Sequence, residues 1–129
     1  MLGIMIVEDE EFLQELYREV LTLRGFNILA TAANGDQAVS KFRDSSPRPQ
    51  LVLMDHRMPG KNGIEAMREI LAIDPGVQVV FLTADYSVAK QAMAEGAAGY
   101  ISKPFQMEAL LNAVDHVSTR LQGQKTRGA

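Results

Sequence analysis

Five short apolar runs, beginning near residues 2, 26, 51, 77 and 98, are each followed by a stretch whose apolar residues recur at helical spacing. This repeated order of strand then helix requires a parallel sheet with helices on both faces, and right-handed crossovers leave few topologies open. The central run, Leu51-Val-Leu-Met54, has four consecutive apolar residues and stops at Asp55, with the turn residues His56 to Gly63 behind it. Such a run suits a strand buried on both faces of the sheet. Leu2 to Val7, interrupted only by Gly3, and Val77 to Leu82 read the same way, whereas Phe26 to Thr31 and Gly99 to Ser102 are less continuous. At 129 residues the chain accommodates one such domain and no second one.

The intervening helices have recognisable ends. Glu8 to Glu11 place acids at the positive end of a first helix with apolar positions Phe12, Leu13, Leu16, Val20 and Leu23, stopped by Gly25. Asn34-Gly35 opens a short second helix carrying Ala38, Val39 and Phe42, and Ser45 to Pro49 ends it. Ile64 to Ile73 forms a third, closed by Asp74-Pro75-Gly76. Ser87 is expected to cap a fourth that runs to Gly96, whose apolar residues are only Val88, Met93 and alanines, so it is weakly anchored. Met107, Leu110, Leu111, Val114, Val117 and Leu121 give the last helix a continuous apolar face. The domain is expected over residues 1–122, with 123–129 a flexible tail or the start of a linker.

Composition narrows the chemistry. The absence of cysteine excludes disulfides, thiolate zinc sites and cysteine nucleophiles. The opening residues carry no basic leader and meet acids at Glu8, so neither a signal peptide nor a membrane span is expected, and a cytoplasmic location is. A net charge of -3, with both signs interspersed, argues against a nucleic-acid surface.

In a parallel sheet the residues that follow each strand share one rim, where open α/β sheets bind ligands. Here they are Glu8 and Asp9, Asp55, Thr83 and Lys103. Carboxylates about 5 Å apart repel by roughly 3 kcal/mol per pair at an effective dielectric near 20. Oxygen donors without sulfur call for a hard divalent cation, Mg2+ or Mn2+, to offset this. An open cation site beside a lysine and a hydroxyl suits phosphoryl transfer, and Asp55 is the available carboxylate nucleophile.

These residues resemble the receiver domain of two-component response regulators. The resemblance covers about Leu2 to Leu121 and rests on Glu8-Asp9, Leu-Met-Asp55, Met58-Pro59-Gly60, Asn62-Gly63, Thr83-Ala84 and Lys103-Pro104-Phe105. It implies a flavodoxin-like five-stranded sheet in the order 2-1-3-4-5. It also implies that Asp55 accepts a phosphoryl group from the phosphohistidine of a sensor histidine kinase or a phosphotransfer protein. By the same resemblance Asp9 and Asp55 bind Mg2+ through their carboxylates, Arg57 through its backbone carbonyl, and Glu8 mostly through water. Thr83 and Lys103 bind phosphoryl oxygens, Lys103-Pro104 is a cis peptide, and Thr83 with Tyr100 forms the switch. A downstream effector would read the change, with a phosphorylation-dependent homodimer as one further outcome.

Arg57 and Asp85 stand two residues beyond Asp55 and Thr83, so their side chains are expected to meet over the mouth of the site and tune the lifetime of the phosphoryl group. His56 and His116 are isolated and are not expected to bind metal. Two other functions fit part of the pattern. One is a receiver-shaped interaction module that works without phosphorylation. The other is an aspartyl-phosphate hydrolase of the haloacid dehalogenase class, which needs an acid where this chain has Arg57. Outside self-phosphorylation and self-dephosphorylation no enzyme activity is expected.

Overall fold

The computed structural model describes the backbone of residues 2–128 and the side chains of residues 2–123. Strands β1 (Gly3–Val7), β2 (Asn27–Ala32), β3 (Leu51–Asp55), β4 (Gln78–Thr83) and β5 (Gly99–Ser102) alternate with helices α1 (Glu11–Leu23), α2 (Gly35–Asp44), α3 (Gly63–Ile73), α4 (Tyr86–Ala94) and α5 (Met107–Gly128). The sheet is parallel throughout, in the order β2-β1-β3-β4-β5. This is the expected flavodoxin-like arrangement. Successive side chains on a strand face opposite sides, and the core divides accordingly. Met5, Val7, Val52, Met54, Val79 and Phe81 pack with α2, α3 and α4. Ile4, Ile6, Leu51, Leu53, Val80 and Leu82 pack with α1 and α5.

Three elements depart from the expected reading. On α1 the buried residues are Tyr17 and Leu21, with Leu13 packed beside them, while Phe12 and Leu23 are 73% and 88% exposed. Residues four apart share a helix face, whereas a neighbour is turned by about 100°, so Leu13-Tyr17-Leu21 is the stripe that meets the sheet. On α4 the cap is Asp85, not Ser87: the Asp85 carboxylate accepts from Ser87 N at 2.9 Å and Val88 N at 3.4 Å. Either residue type caps a helix, and here Asp85 has the extended backbone that the position requires. Finally, α5 continues through the segment read as a tail. The Gln, Lys and Arg there are good helix formers, against a cost of about 1 kcal/mol for Gly123.

Two local features fix the rim. Asn62 and Glu65 form a reciprocal capping box at the start of α3. Beside it, a Cβ on Gly63 would lie 2.6 Å from the Asp55 carbonyl oxygen and 2.9 Å from His56 Cα, so only glycine lets α3 approach the end of β3 this closely. At the other end of α4, Arg68 of α3 grips Glu95 with two hydrogen bonds, 2.5 and 2.9 Å long. Among the described residues no helix is long and apolar enough to cross a membrane.

Candidate functional site

The sheet register brings the rim residues together. Val7 pairs with Met54, Asp55 with Leu82, and Thr83 with Ser102, so Glu8, Asp55, Thr83 and Lys103 all emerge at one edge. Glu8 and Asp55 are 2% and 6% exposed, and Thr83 is buried beside them. Ligand oxygens of Glu8, Asp9 and Asp55 lie within 4.8 Å of one another. Lys103 Nζ stands 3.4 Å from Asp55 Oδ1 and 3.7 Å from Glu8 Oε1. Thr83 Oγ1 accepts from the Asp85 amide at 3.1 Å, and its carbonyl accepts from Lys103 N at 3.0 Å.

The acid turn is itself braced. Glu8 Oε2 accepts from Glu10 N at 3.1 Å. Gln14 on α1 donates its side-chain amide to the carbonyls of Glu8 and Ala32, tying the ends of β1 and β2 to the helix. Glu8 Oε1, in contrast, is buried without a hydrogen-bond partner. Burial pushes the Glu8 carboxyl up to about 7, helped by the charge of Asp55 and opposed by the Glu10 amide and Lys103. Asp55 is also raised by burial, against the pull of Lys103. At 4.8 Å and an effective dielectric near 20, each carboxylate pair repels by about 3 kcal/mol. One ammonium cannot offset every such pair. Three oxygen donors, one of them buried without a hydrogen bond, fit a small hard cation such as Mg2+ or Mn2+.

Arg57 and Asp85 line the same cavity, about 490 Å³ in volume, as Glu8, Asp55 and Lys103. Among the described residues they form no ion pair, although the charge of Arg57 is felt at Asp85; one Asp85 oxygen, Oδ1, takes the Ser87 and Val88 amides and the Ser87 hydroxyl. Tyr100 is 42% exposed on β5. The Lys103-Pro104 bond is cis, and so is Ser46-Pro47, which the sequence did not announce. His56 lines a separate, adjacent cavity with Asp9, Arg57 and Asp85, its Nδ1 buried without a hydrogen-bond partner and its ring 6.5 Å from Phe81, while His116 is exposed. Burial lowers the His56 pKa. Sequence reasoning passed over Gln14 and Tyr17. Their only signal was that they stand on the same helix face, three apart.

A doubly wound sheet that gathers an acidic pair, a central aspartate, a hydroxyl and a lysine at one rim defines the receiver class of phosphoacceptor domains. The chain belongs to that family: the response regulator receiver domain matches residues 4–115. The chemotaxis protein CheY of Thermotoga maritima is 33% identical over 117 residues, spanning 89% of this chain and 96% of its own. CheY of Bacillus subtilis is 38% identical over 114 residues, spanning 87% and 93%. In the crystal structure of the CheX-CheY-BeF3-Mg2+ complex from Borrelia burgdorferi, the matching chain superposes with a TM-score of 0.84 at 30% identity, covering 90% of this chain and 88% of that one. Neither the hydrolase nor the phosphorylation-independent module is favoured by these matches.

Proposed function

We propose that Asp55 accepts a phosphoryl group from the phosphohistidine of a sensor histidine kinase or a phosphotransfer protein. The observation that carries this reading is the meeting of Glu8, Asp9 and Asp55 oxygens within 4.8 Å of one another, with Lys103 Nζ 3.4 Å from Asp55. A carboxylate oxygen of Asp55 attacks phosphorus as the P–N bond to the donor imidazole breaks, and the departing nitrogen keeps the bonding pair. Lys103 stabilises the charge on the transferring oxygens as a point charge, and the Thr83 hydroxyl donates to one of them. Glu8, Asp9, Asp55 and the Arg57 backbone carbonyl would hold Mg2+, which supplies charge neutralisation for the incoming phosphoryl oxygens. The Borrelia burgdorferi complex, with its BeF3 and Mg2+, supports that assignment.

The new charge, about 1.5 to 2 negative units, draws Thr83 inward and vacates space into which Tyr100 turns. The weakly anchored α4 then moves with the surface it shares with β5 and α5. That surface would meet an effector or a second copy of the chain. Residues 1–122 form the receiver unit in this reading, working in the cytoplasm without contacting nucleic acid or membrane. Arg57 and Asp85, each from its own side of the cavity, tune access of water to the acyl phosphate; unchanged dephosphorylation in Arg57→Ala and Asp85→Ala would remove them from that role. The primary test is incubation with acetyl phosphate and Mg2+ followed by intact mass measurement. Wild type should gain one phosphoryl group and Asp55→Asn none; equal labelling of both sinks the assignment.

A further inference from the structure

Tyr17 is a buried titratable group for which the phosphoryl-transfer reading has no use. It lies on α1, distant in sequence from Lys103, and is 2% exposed. Its ring stacks on that of Phe105, with centroids 6.0 Å apart and planes inclined by 27°. Phe105 is the second residue after Lys103. Between Lys103 and the start of α5, Pro104 and Gln106 are exposed, and Phe105 alone packs against the core shared with Tyr17. Apart from the Lys103 amide, which donates to the Thr83 carbonyl, the loop that delivers the lysine is anchored through one ring, and that ring rests on Tyr17.

The same helix face holds the opposite side of the pocket. Gln14, one turn earlier, donates to the Glu8 carbonyl, so α1 grips the acid turn with one side chain and the lysine loop with another. We propose that Tyr17 is a positioning residue for Lys103: its ring, pressed against Phe105, sets where the ammonium rests between Glu8 and Asp55. Lys103 needs such support because its side chain is 28% exposed and its two contacts are long, 3.4 and 3.7 Å. A flexible four-carbon stem is otherwise free to sample other positions. The phenol is not the working part. Burial and the charges of Glu8, Asp55 and Glu10 push it up to about 12, so it stays protonated at every working pH, and the stack requires only the ring.

The inference rests on the phosphoacceptor reading, so wild-type labelling by acetyl phosphate is measured first; if wild type takes no phosphoryl group on Asp55, that reading fails before any variant is compared. With wild type active, Tyr17→Leu, Tyr17→Phe, Phe105→Leu and the Tyr17→Leu/Phe105→Leu double variant are compared for Mg2+ affinity alone, and for beryllofluoride affinity and phosphorylation rate at saturating Mg2+. A misplacement of 1 Å can cost about a hundredfold in rate, and a partial slackening of the loop should cost Tyr17→Leu about tenfold in both phosphorylation and beryllofluoride affinity. Mg2+ affinity should not weaken, because the three carboxylates stay in place. Tyr17→Phe should behave as wild type, and the double variant should be no worse than the worse single. A folded Tyr17→Leu with wild-type phosphorylation overturns the proposal. So does a Tyr17→Phe that is as slow as Tyr17→Leu, or a Mg2+ affinity that falls in step with beryllofluoride affinity, which would mean the whole pocket has loosened. Should Tyr17→Leu fail to fold, Phe105→Leu removes the stack from its half-buried side and is judged by the same results.

Discussion

Replacing Lys103 with methionine should make the site bind Mg2+ more tightly and phosphoryl groups more weakly. Methionine keeps much of the apolar stem and deletes the charge. In the structure the ammonium stands 3.4 Å from Asp55 and 3.7 Å from Glu8, so it occupies ground that an entering divalent cation needs. At 3.4 Å the attraction is about 5 kcal/mol at an effective dielectric of 20 and about 1 kcal/mol in water. The Lys103 side chain is 28% exposed, which places each contact toward the lower figure. Displacing the ammonium from both carboxylates therefore costs an entering ion about 1 to 2 kcal/mol, a factor of roughly five to thirty in affinity. Lys103→Met abolishes that cost. Because loss of Lys103 pushes the Glu8 carboxyl further up, calorimetric Mg2+ titration is carried to rising pH until the dissociation constant of each protein is constant, and there the variant's should be lower by that factor. Beryllofluoride binding at saturating Mg2+ should move the opposite way, by at least about tenfold, since a fixed charge opposite developing negative charge is commonly worth 2.7 kcal/mol or more. An unchanged or weakened Mg2+ affinity would refute the view that lysine and metal compete for the same oxygens.

Glu8 gives a pH dependence of unusual sign. Its folded pKa of about 7 lies above the free value of 4.5, so the folded state keeps a proton that the unfolded chain releases. The resulting stability, at most about 3 kcal/mol, is present below pH 4.5 and lost as pH rises to 7. Metal-free melting curves of wild type minus Glu8→Gln should show that decline between pH 5 and 8, and a difference that grows with pH contradicts it. Gly63→Ala forces a Cβ to 2.6 Å from the Asp55 carbonyl and should cost about 1 to 3 kcal/mol in urea unfolding while slowing phosphorylation. Gly99→Ala, where a Cβ meets nothing within 4 Å, is the control expected to leave the rim intact, and equal effects at the two sites would discount the close approach. Glu95 is held at about 2 by its hydrogen bonds with Arg68 and Gln91. Glu95→Gln should therefore speed amide exchange in α4 and leave β3 and β4 unchanged, and unaltered α4 exchange would mean that this clasp does not restrain the helix.

The sheet was legible because its strands announce themselves twice. Leu51 to Met54 and Val77 to Leu82 are apolar on both faces, which only a doubly covered parallel sheet tolerates, and each is closed by a residue that cannot continue inward, Asp55 and Thr83. Once strand order is settled, the rim follows without further information, since parallel strands present all their carboxyl ends together. Helix faces carry weaker marks. Phe12 and Leu23 are as apolar as Leu13 and Leu21, and composition cannot say which of them a sheet will cover. The answer lies in a four-residue spacing that includes Tyr17, which the apolar pattern alone does not pick out. Ser87 and Asp85 are equally competent caps, separated only by the backbone that the end of β4 imposes.

What stayed hidden is therefore of one kind: contacts in which a local sequence supplies a capable side chain and a distant segment decides what it does. Asp85 and Arg57 read as partners because each stands two residues past a rim residue, yet the start of α4 claims one carboxylate oxygen of Asp85 through Ser87 and Val88. Tyr17 and Phe105 look unrelated, yet the sheet order brings α1 and the β5–α5 loop onto one face, where Tyr17 packs fully buried beneath the half-buried Phe105. The same logic explains why the acidic rim was easier to find than its supports. Glu8, Asp9, Asp55, Thr83 and Lys103 have chemistry that is costly to bury and so stands out against apolar runs. The rings and amides that hold them, Tyr17, Phe105 and Gln14, have chemistry that any helix or loop can carry, and their roles exist only after the chain has folded around the acids.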